Sequence, residues 1–169
     1  SSKANVIESI AKIDIAPLLE LIANMPFDAS PEDYQIGKQI DEACIKHGFL
    51  RIHNFSQHFP EQTFDLLFDK SKQFLLNASK EEKLALKSSA HNGYFGYLDE
   101  KLEQDKIDLK EGINWYFESD SPKHKYHLKR NAYPANDEQE WRRVERLYFN
   151  AMLKIGKALL AGFAMGLNF

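Results

Sequence analysis

Sulfur gives this 169-residue chain almost no structural help, since it contains one cysteine, Cys44. A lone cysteine excludes an internal disulfide. Its place in mid-helix on an apolar face, with no base nearby in the sequence, reads as a small buried hydrophobe in a reducing compartment rather than a nucleophile. No apolar run approaches the roughly 18 to 20 residues of a membrane span. The start, Ser1-Ser2-Lys3-Ala4-Asn5, lacks the apolar segment of a signal peptide. These absences predict a cytoplasmic protein with no membrane role. A charge excess is missing as well: 22 basic against 25 acidic side chains leave a formal net charge of −3, too little to draw in nucleic acid. None of the six histidines (47, 53, 58, 91, 124 and 127) is followed two residues later by an acid. His124 and His127 sit among Lys123, Lys125, Lys129 and Arg130, whose repulsion disfavours a metal. That stretch reads as a solvated basic loop, with a phosphate-binding role as the weaker reading.

What is present is helical periodicity interrupted by short extended runs. At this length the chain can bury roughly 70% of its unfolded surface, which is sufficient for a core without staples. Ile13-Asp14-Ile15 reads as a strand and Pro17 to Leu21 as a helical turn. Ser30 is a good N-cap and Pro31 suits the first helical position. Glu32 and Asp33 complement the helix dipole, so a helix is predicted from about Pro31 to His47, stopped by Gly48. Phe49 to Phe55 is a predicted strand. Pro60 opens a helix whose Phe64, Leu67, Phe68, Ser71, Phe74 and Leu75 form the expected core face. Ser79 caps a short helix to about Lys87, and its Lys-Glu-Glu-Lys opening reads as solvated surface. Around Gly93 and Gly96 the pattern breaks into a structured loop or ragged strand. Gly112 to Glu118 follows as a strand with Trp115 and Phe117 on one face. Asn136 or Asp137 caps a long last helix with Trp141, Val144, Tyr148, Met152, Ile155 and Leu159 as its expected buried stripe. The fold class is α+β, several helices on a small sheet.

The run Asp41-Glu42-Ala43-Cys44, then His47-Gly48-Phe49 and on to Asn54, resembles the N-terminal domain of the isopenicillin N synthase-like, Fe(II)- and 2-oxoglutarate-dependent oxygenases. Further pieces resemble the same family in the same order. They are Ile13-Asp14-Ile15, Ser79-Lys80-Glu81-Glu82-Lys83, Asn92-Gly93-Tyr94-Phe95-Gly96-Tyr97, Asp108-Leu109-Lys110-Glu111 and Asn131-Ala132-Tyr133-Pro134. The match spans about residues 10–168 of a single 1–169 domain. One departure is Asn54-Phe55-Ser56, where the family has Asn-His-Gly; it bears on a turn. The resemblance implies that iron ligands and the 2-oxoglutarate arginine lie in a C-terminal jelly-roll half absent from these 169 residues. Fe(II) and 2-oxoglutarate are therefore expected in an intact parent that hydroxylates, desaturates or cyclises a small molecule. No cofactor, metal site or catalytic residue is expected in this chain.

The resemblance makes the glycine-aromatic loop the candidate substrate wall, through His91, Tyr94 or Phe95, against aromatic core packing as the plainer reading. Gly93-x-x-Gly96 alone is not a phosphate loop, since no lysine or helix start follows. His47 and His53 read as structural, through the helix dipole and strand packing. The expected role is a scaffold and part of the substrate pocket, inactive alone and prone to self-associate through surface left near Phe163 to Phe169 and the Trp115-Phe117 strand. The alternative is a free-standing, non-catalytic binding module of the same architecture.

Overall fold

A computed structural model describes residues 10–24, 26–87, 92–97, 99, 101–103, 106–107, 109–116, 118 and 131–169. Its elements in chain order are β1 (Lys12–Asp14), α1 (Ala16–Ala23), α2 (Pro31–His47), β2 (Arg51–His53), α3 (Thr63–Asn77), α4 (Lys80–Ala85), β3 (Gly93–Phe95), β4 (Lys101–Glu103), β5 (Lys106–Ile107), β6 (Gly112–Asn114) and α5 (Glu138–Gly166). Short 3-10 turns precede α3 and α5, at Ser56–His58 and Ala135–Asp137. This mixture of helices with two-stranded sheets agrees with the expected α+β class. The chain divides into two compact units, Ser1–Thr63 with Leu147–Phe169, and Phe64–Arg146.

In the first unit β1 and β2 pair in parallel, Ile13 opposite Ile52, with α1 and α2 as the crossover. Polar side chains lock the pair. Asn54 adopts a left-handed backbone (φ 57°), which asparagine tolerates, and its amide donates to Asp14 Oδ2 at 2.5 Å. Asp14 Oδ1 accepts the Ala16 N–H at 2.9 Å, and the Arg51 guanidinium reaches the Ile10 carbonyl at 2.8 Å. Helix α2 has the predicted ends. A Ser30/Asp33 capping box closes its start, and Gly48 in the left-handed region (φ +67°) returns its N–H to the Cys44 carbonyl. Ile13, Ile15, Leu18, Ile36, Ile40, Ile155, Ala158 and Met165 form the apolar core.

Glycines set how closely α2 and α5 approach. A Cβ on Gly37 would lie 2.8 Å from the Gly166 backbone nitrogen and 2.9 Å from the Gly162 carbonyl, and one on Gly162 would meet the Ile40 side chain at 2.5 Å. Cys44 is half-buried rather than sequestered.

The second unit relies on polar fastening. α4 carries its own capping box, Ser79 with Glu82. β3 and β6 pair antiparallel, Tyr94 opposite Ile113. Buried Asn131 bridges both backbone groups of Tyr116, accepting its N–H at 3.0 Å and donating to its carbonyl at 2.7 Å, while its own N–H donates to Glu118 at 2.6 Å. Trp115 donates to the Ala132 carbonyl at 3.0 Å, stacks on Tyr133 and packs against Trp141. Lys70 pairs with Asp137 and lies over the Trp141 ring.

Several sequence expectations change. The strand predicted from Gly112 to Glu118 ends at Asn114, and Trp115 serves the indole cluster instead of an exposed face. Phe117 lies outside the described residues. On α3, Phe68 is 68% exposed and the rest of the expected core face only half-buried. On α5, Met152 is 42% exposed, and Ala151 and Ala158 occupy the buried line instead. The stripe runs Trp141, Val144, Tyr148, Ala151, Ile155, Ala158, Gly162 and Met165, alternating steps of three and four. Hydrophobic size drew the sequence reading to Met152 and Leu159, but closeness to the neighbouring helix selects small residues.

Among the described residues no helix is long and apolar enough to cross a membrane.

Candidate functional site

Tyr94 and Phe95 are successive residues of β3, so their side chains leave the strand on opposite sides. The structure separates them accordingly. Phe95 covers Gly112, where a Cβ would lie 2.7 Å from its ring, and Lys110 sits over that ring. Tyr94 turns toward α4 and lines an open basin of about 390 Å³ with Lys80, Lys83, Leu84, Lys87 and Glu111. Tyr97 and Asp99 complete the rim. His91 lies outside the described residues, as do His124 and His127.

The polar floor of the basin is fully engaged. Tyr94 Oη donates to Glu111 Oε2 at 2.7 Å, and Lys83 Nζ donates to the Leu75 carbonyl at 2.6 Å and to Glu111 at 3.1 Å. Partial burial pushes the Glu111 carboxyl up, but the Tyr94 hydroxyl and the Lys83 ammonium outweigh it and hold the group below its ordinary value. The same contacts act on Tyr94 in the other direction: desolvation and the adjoining Glu111 carboxylate raise its hydroxyl to about 12. At neutral pH Tyr94 is therefore a fixed hydrogen-bond donor, not a base. On the rim, Asp99 accepts the Gly96 N–H at 2.7 Å and both its oxygens accept from Lys87. These bonds hold its carboxyl below the usual range.

Sequence reading singled out Tyr94 but took Lys80 to Lys83 for featureless surface. A signal was available. Lys80, Lys83, Leu84 and Lys87 fall at i, i+3, i+4 and i+7, one face of a helix. What the sequence could not supply was the partner of that face, Glu111, which arrives from 28 positions downstream of Lys83.

A second ionisable cluster surrounds Tyr133, whose ring lies under the Arg142 guanidinium at 4.4 Å. Arg142 pairs with Glu118 at 3.0 Å. Glu145 in the same cluster is raised by desolvation and by repulsion from Glu118. It reads as a packing junction. Among the described residues no group of three or more His, Cys, Asp or Glu side chains is placed to hold a metal ion. The described residues do not fit iron.

Residues of the ordered sequence segments make several of the polar contacts in this structure. Asp14 binds Asn54, Lys83 and Tyr94 bind Glu111, and Asn131 binds Tyr116. The family described as non-haem dioxygenase in morphine synthesis, N-terminal, matches residues 10–136. The chain belongs to this dioxygenase N-terminal family. Two curated relatives of the domain are homoarginine-6-hydroxylases. The protein 2-ODD-C23 of Glycine max is 32% identical over 112 residues, 65% of this chain and 33% of the relative. The protein 2-ODD-233 of Oryza sativa subsp. japonica is 31% identical over 114 residues, 64% of this chain and 33% of the relative. The dioxygenase N-terminal domain thus spans about a third of the length of the curated relatives it matches.

Proposed function

We propose that this dioxygenase N-terminal domain is the scaffold and part of the substrate-binding wall of an Fe(II)/2-oxoglutarate-dependent oxygenase acting on a small molecule, and that it does not turn over alone. The observation that carries the reading is a second apolar line on α5. Leu153, Gly156, Leu160, Phe163 and Leu167 alternate in steps of four and three on the side away from the buried stripe. Leu153, Leu160 and Leu167 are 48%, 67% and 58% exposed. A helix apolar on both sides is the pattern of a helix buried on both sides. Gly156 adds a specific sign, since a Cβ there would meet nothing within 4 Å. On a solvent-facing helix, glycine costs about 1 kcal/mol relative to alanine for no gain. Under a closely packed partner it leaves room for that partner's backbone. The proposed cover is the remainder of the oxygenase, corresponding to the two-thirds of the relatives' length outside the match.

Gly156→Ala tests this reading. In the 169-residue chain alone it raises stability by about 1 kcal/mol through helix propensity. In the natural full-length protein it lowers stability or activity, because the methyl group occupies space held for the covering half. A gain of equal size in both settings overturns the covered-face reading and favours the free-standing module. Fe(II) titration of the chain is expected to show no stoichiometric, tight site, and finding one would refute the scaffold role. For the full-length enzyme, the names of the relatives make homoarginine the first substrate to assay.

A further inference from the structure

We infer that the basin between α4 and β3 binds a small organic carboxylate with an apolar body. The inference rests on the reading of Tyr94 as part of a ligand-facing wall, and it names the class of ligand. Three lysines, 80, 83 and 87, share one face of a six-residue helix and the turn that follows it. Like charges at these spacings repel one another and destabilise a helix. Two of the three are compensated: Lys83 by Glu111 at 3.1 Å, and Lys87 by Asp99 at 2.9 Å. Lys80 has no carboxylate partner among the described residues. Both lining carboxylates are already engaged, so among the described residues the basin keeps one uncompensated positive charge at its edge.

The donor geometry narrows the contact further. The Lys83 ammonium is committed to the Leu75 carbonyl and both oxygens of Glu111, which accounts for its three hydrogens. Lys87 gives two contacts to Asp99 and retains one donor. An entering anion would therefore meet Lys80 and the remaining donor of Lys87. Lys83, Glu111 and Tyr94 form the fixed floor beneath it.

The walls specify the rest of the ligand. Leu84 and Tyr97 line the same basin and are 45% and 59% exposed. Two large apolar surfaces left open beside an unmatched cation suit a molecule with an aromatic or aliphatic body and one carboxylate. A bare inorganic anion would leave them wet. A volume near 390 Å³ accommodates a body the size of a single ring.

The test is a titration of the isotopically labelled 169-residue chain with benzoate, followed by amide chemical shifts. Benzamide and inorganic phosphate serve as controls. The expected result is saturable shifts confined to Lys80–Lys87 and Tyr94–Tyr97, with benzamide and phosphate each binding more weakly. Lys80→Gln, at an exposed helix start, should weaken benzoate up to about fivefold, the ceiling for an exposed ion pair. Leu84→Ser should weaken benzoate while leaving phosphate unchanged. Shifts that are absent, unsaturable or spread over the chain overturn the inference, as does an unaltered affinity in Lys80→Gln. Phosphate binding as tightly as benzoate overturns the apolar-body assignment. Because the readout needs no iron, a negative result removes the carboxylate site and leaves the scaffold reading standing. A tight Fe(II) site would do the reverse.

Discussion

The two compact units are fastened by different physics. In the first, Ile13, Ile15, Leu18, Ile36 and Ile40 are buried, Leu18 and Ile40 beside Gly162 of α5, and glycines at 37, 162 and 166 let backbones approach where side chains would keep them apart. Among the described residues the second has few buried aliphatic side chains, chiefly Leu86 and Val144, and relies on a Trp115–Tyr133–Trp141 cluster with polar bridges from Asn131, Glu111 and Glu118. Dispersion and hydrophobic burial are non-directional, so the first unit depends on volume. Hydrogen bonds are directional and costly to leave unmade, so the second depends on individual atoms. Volume changes should therefore damage the first unit most, and single-atom changes the second.

The largest effect is expected from Gly37→Val. Its added carbons would collide with the backbone at Gly162 and Gly166, which cannot rotate away, so a loss of about 3 kcal/mol or more is anticipated in urea unfolding. A change near zero would show that the crossing can widen and that volume does not govern this unit. Next is Asn131→Ala, which strands the N–H and carbonyl of Tyr116 and should cost about 2 kcal/mol, whereas Asn131→Asp, at nearly constant volume, should cost a comparable amount by removing the donor to the Tyr116 carbonyl. A cost below that of an ordinary surface substitution would break the contrast from the other side.

Tyr94→Phe removes one hydrogen bond at nearly constant volume and should cost about 1 kcal/mol at neutral pH. Its pH signature is more telling. Glu111 has a folded pKa below its unfolded one, so its stabilisation is present above about pH 4.5 and is lost as pH falls through the lower folded value. Without the Tyr94 donor the folded value moves back toward the unfolded one, so that loss should be smaller and complete at a higher pH. The tyrosine itself is raised to about 12, so its contribution is complete below about pH 10 and fades between there and 12. Acid and alkaline unfolding midpoints of the two proteins check both arms.

The smallest effect belongs to Glu145→Gln. Its carboxyl is raised by desolvation and by Glu118, so the charged form is disfavoured in the fold. Stability from this group is present below its unfolded pKa and lost as pH rises through the folded one. The amide should therefore give a slightly higher unfolding midpoint at pH 7 and no gain at pH 4. A loss at pH 7 would mean that the Glu145 charge is needed by Arg142 or Arg146.

Much of the local structure was legible. Ser30, Pro31 and Gly48 mark the limits of α2, and Ser79 marks the start of α4, because caps act through bonds a few residues long. The ordered segments from Asp14 to Pro134 carried the family, and the residue range expected from them overlaps the match at 10–136. The buried line of α5 was misread at Met152 because large apolar residues on a helix do not reveal which side the neighbour occupies. Phe68 failed for the same reason. The candidate site was half visible: Tyr94 was named, while the Lys80 to Lys83 stretch read as solvated surface, although Glu111 meets Lys83 and Asp99 meets Lys87 on the same face.

By itself the sequence determined what neighbouring residues settle between themselves: helix ends, turn conformations, strand-forming runs and family. Only the tertiary structure decided which carboxylate each lysine met, which side of β3 each aromatic took, and which line of α5 was buried. Those outcomes depend on contacts between residues tens of positions apart, whose energies are comparable to local preferences but leave no periodic trace in the chain.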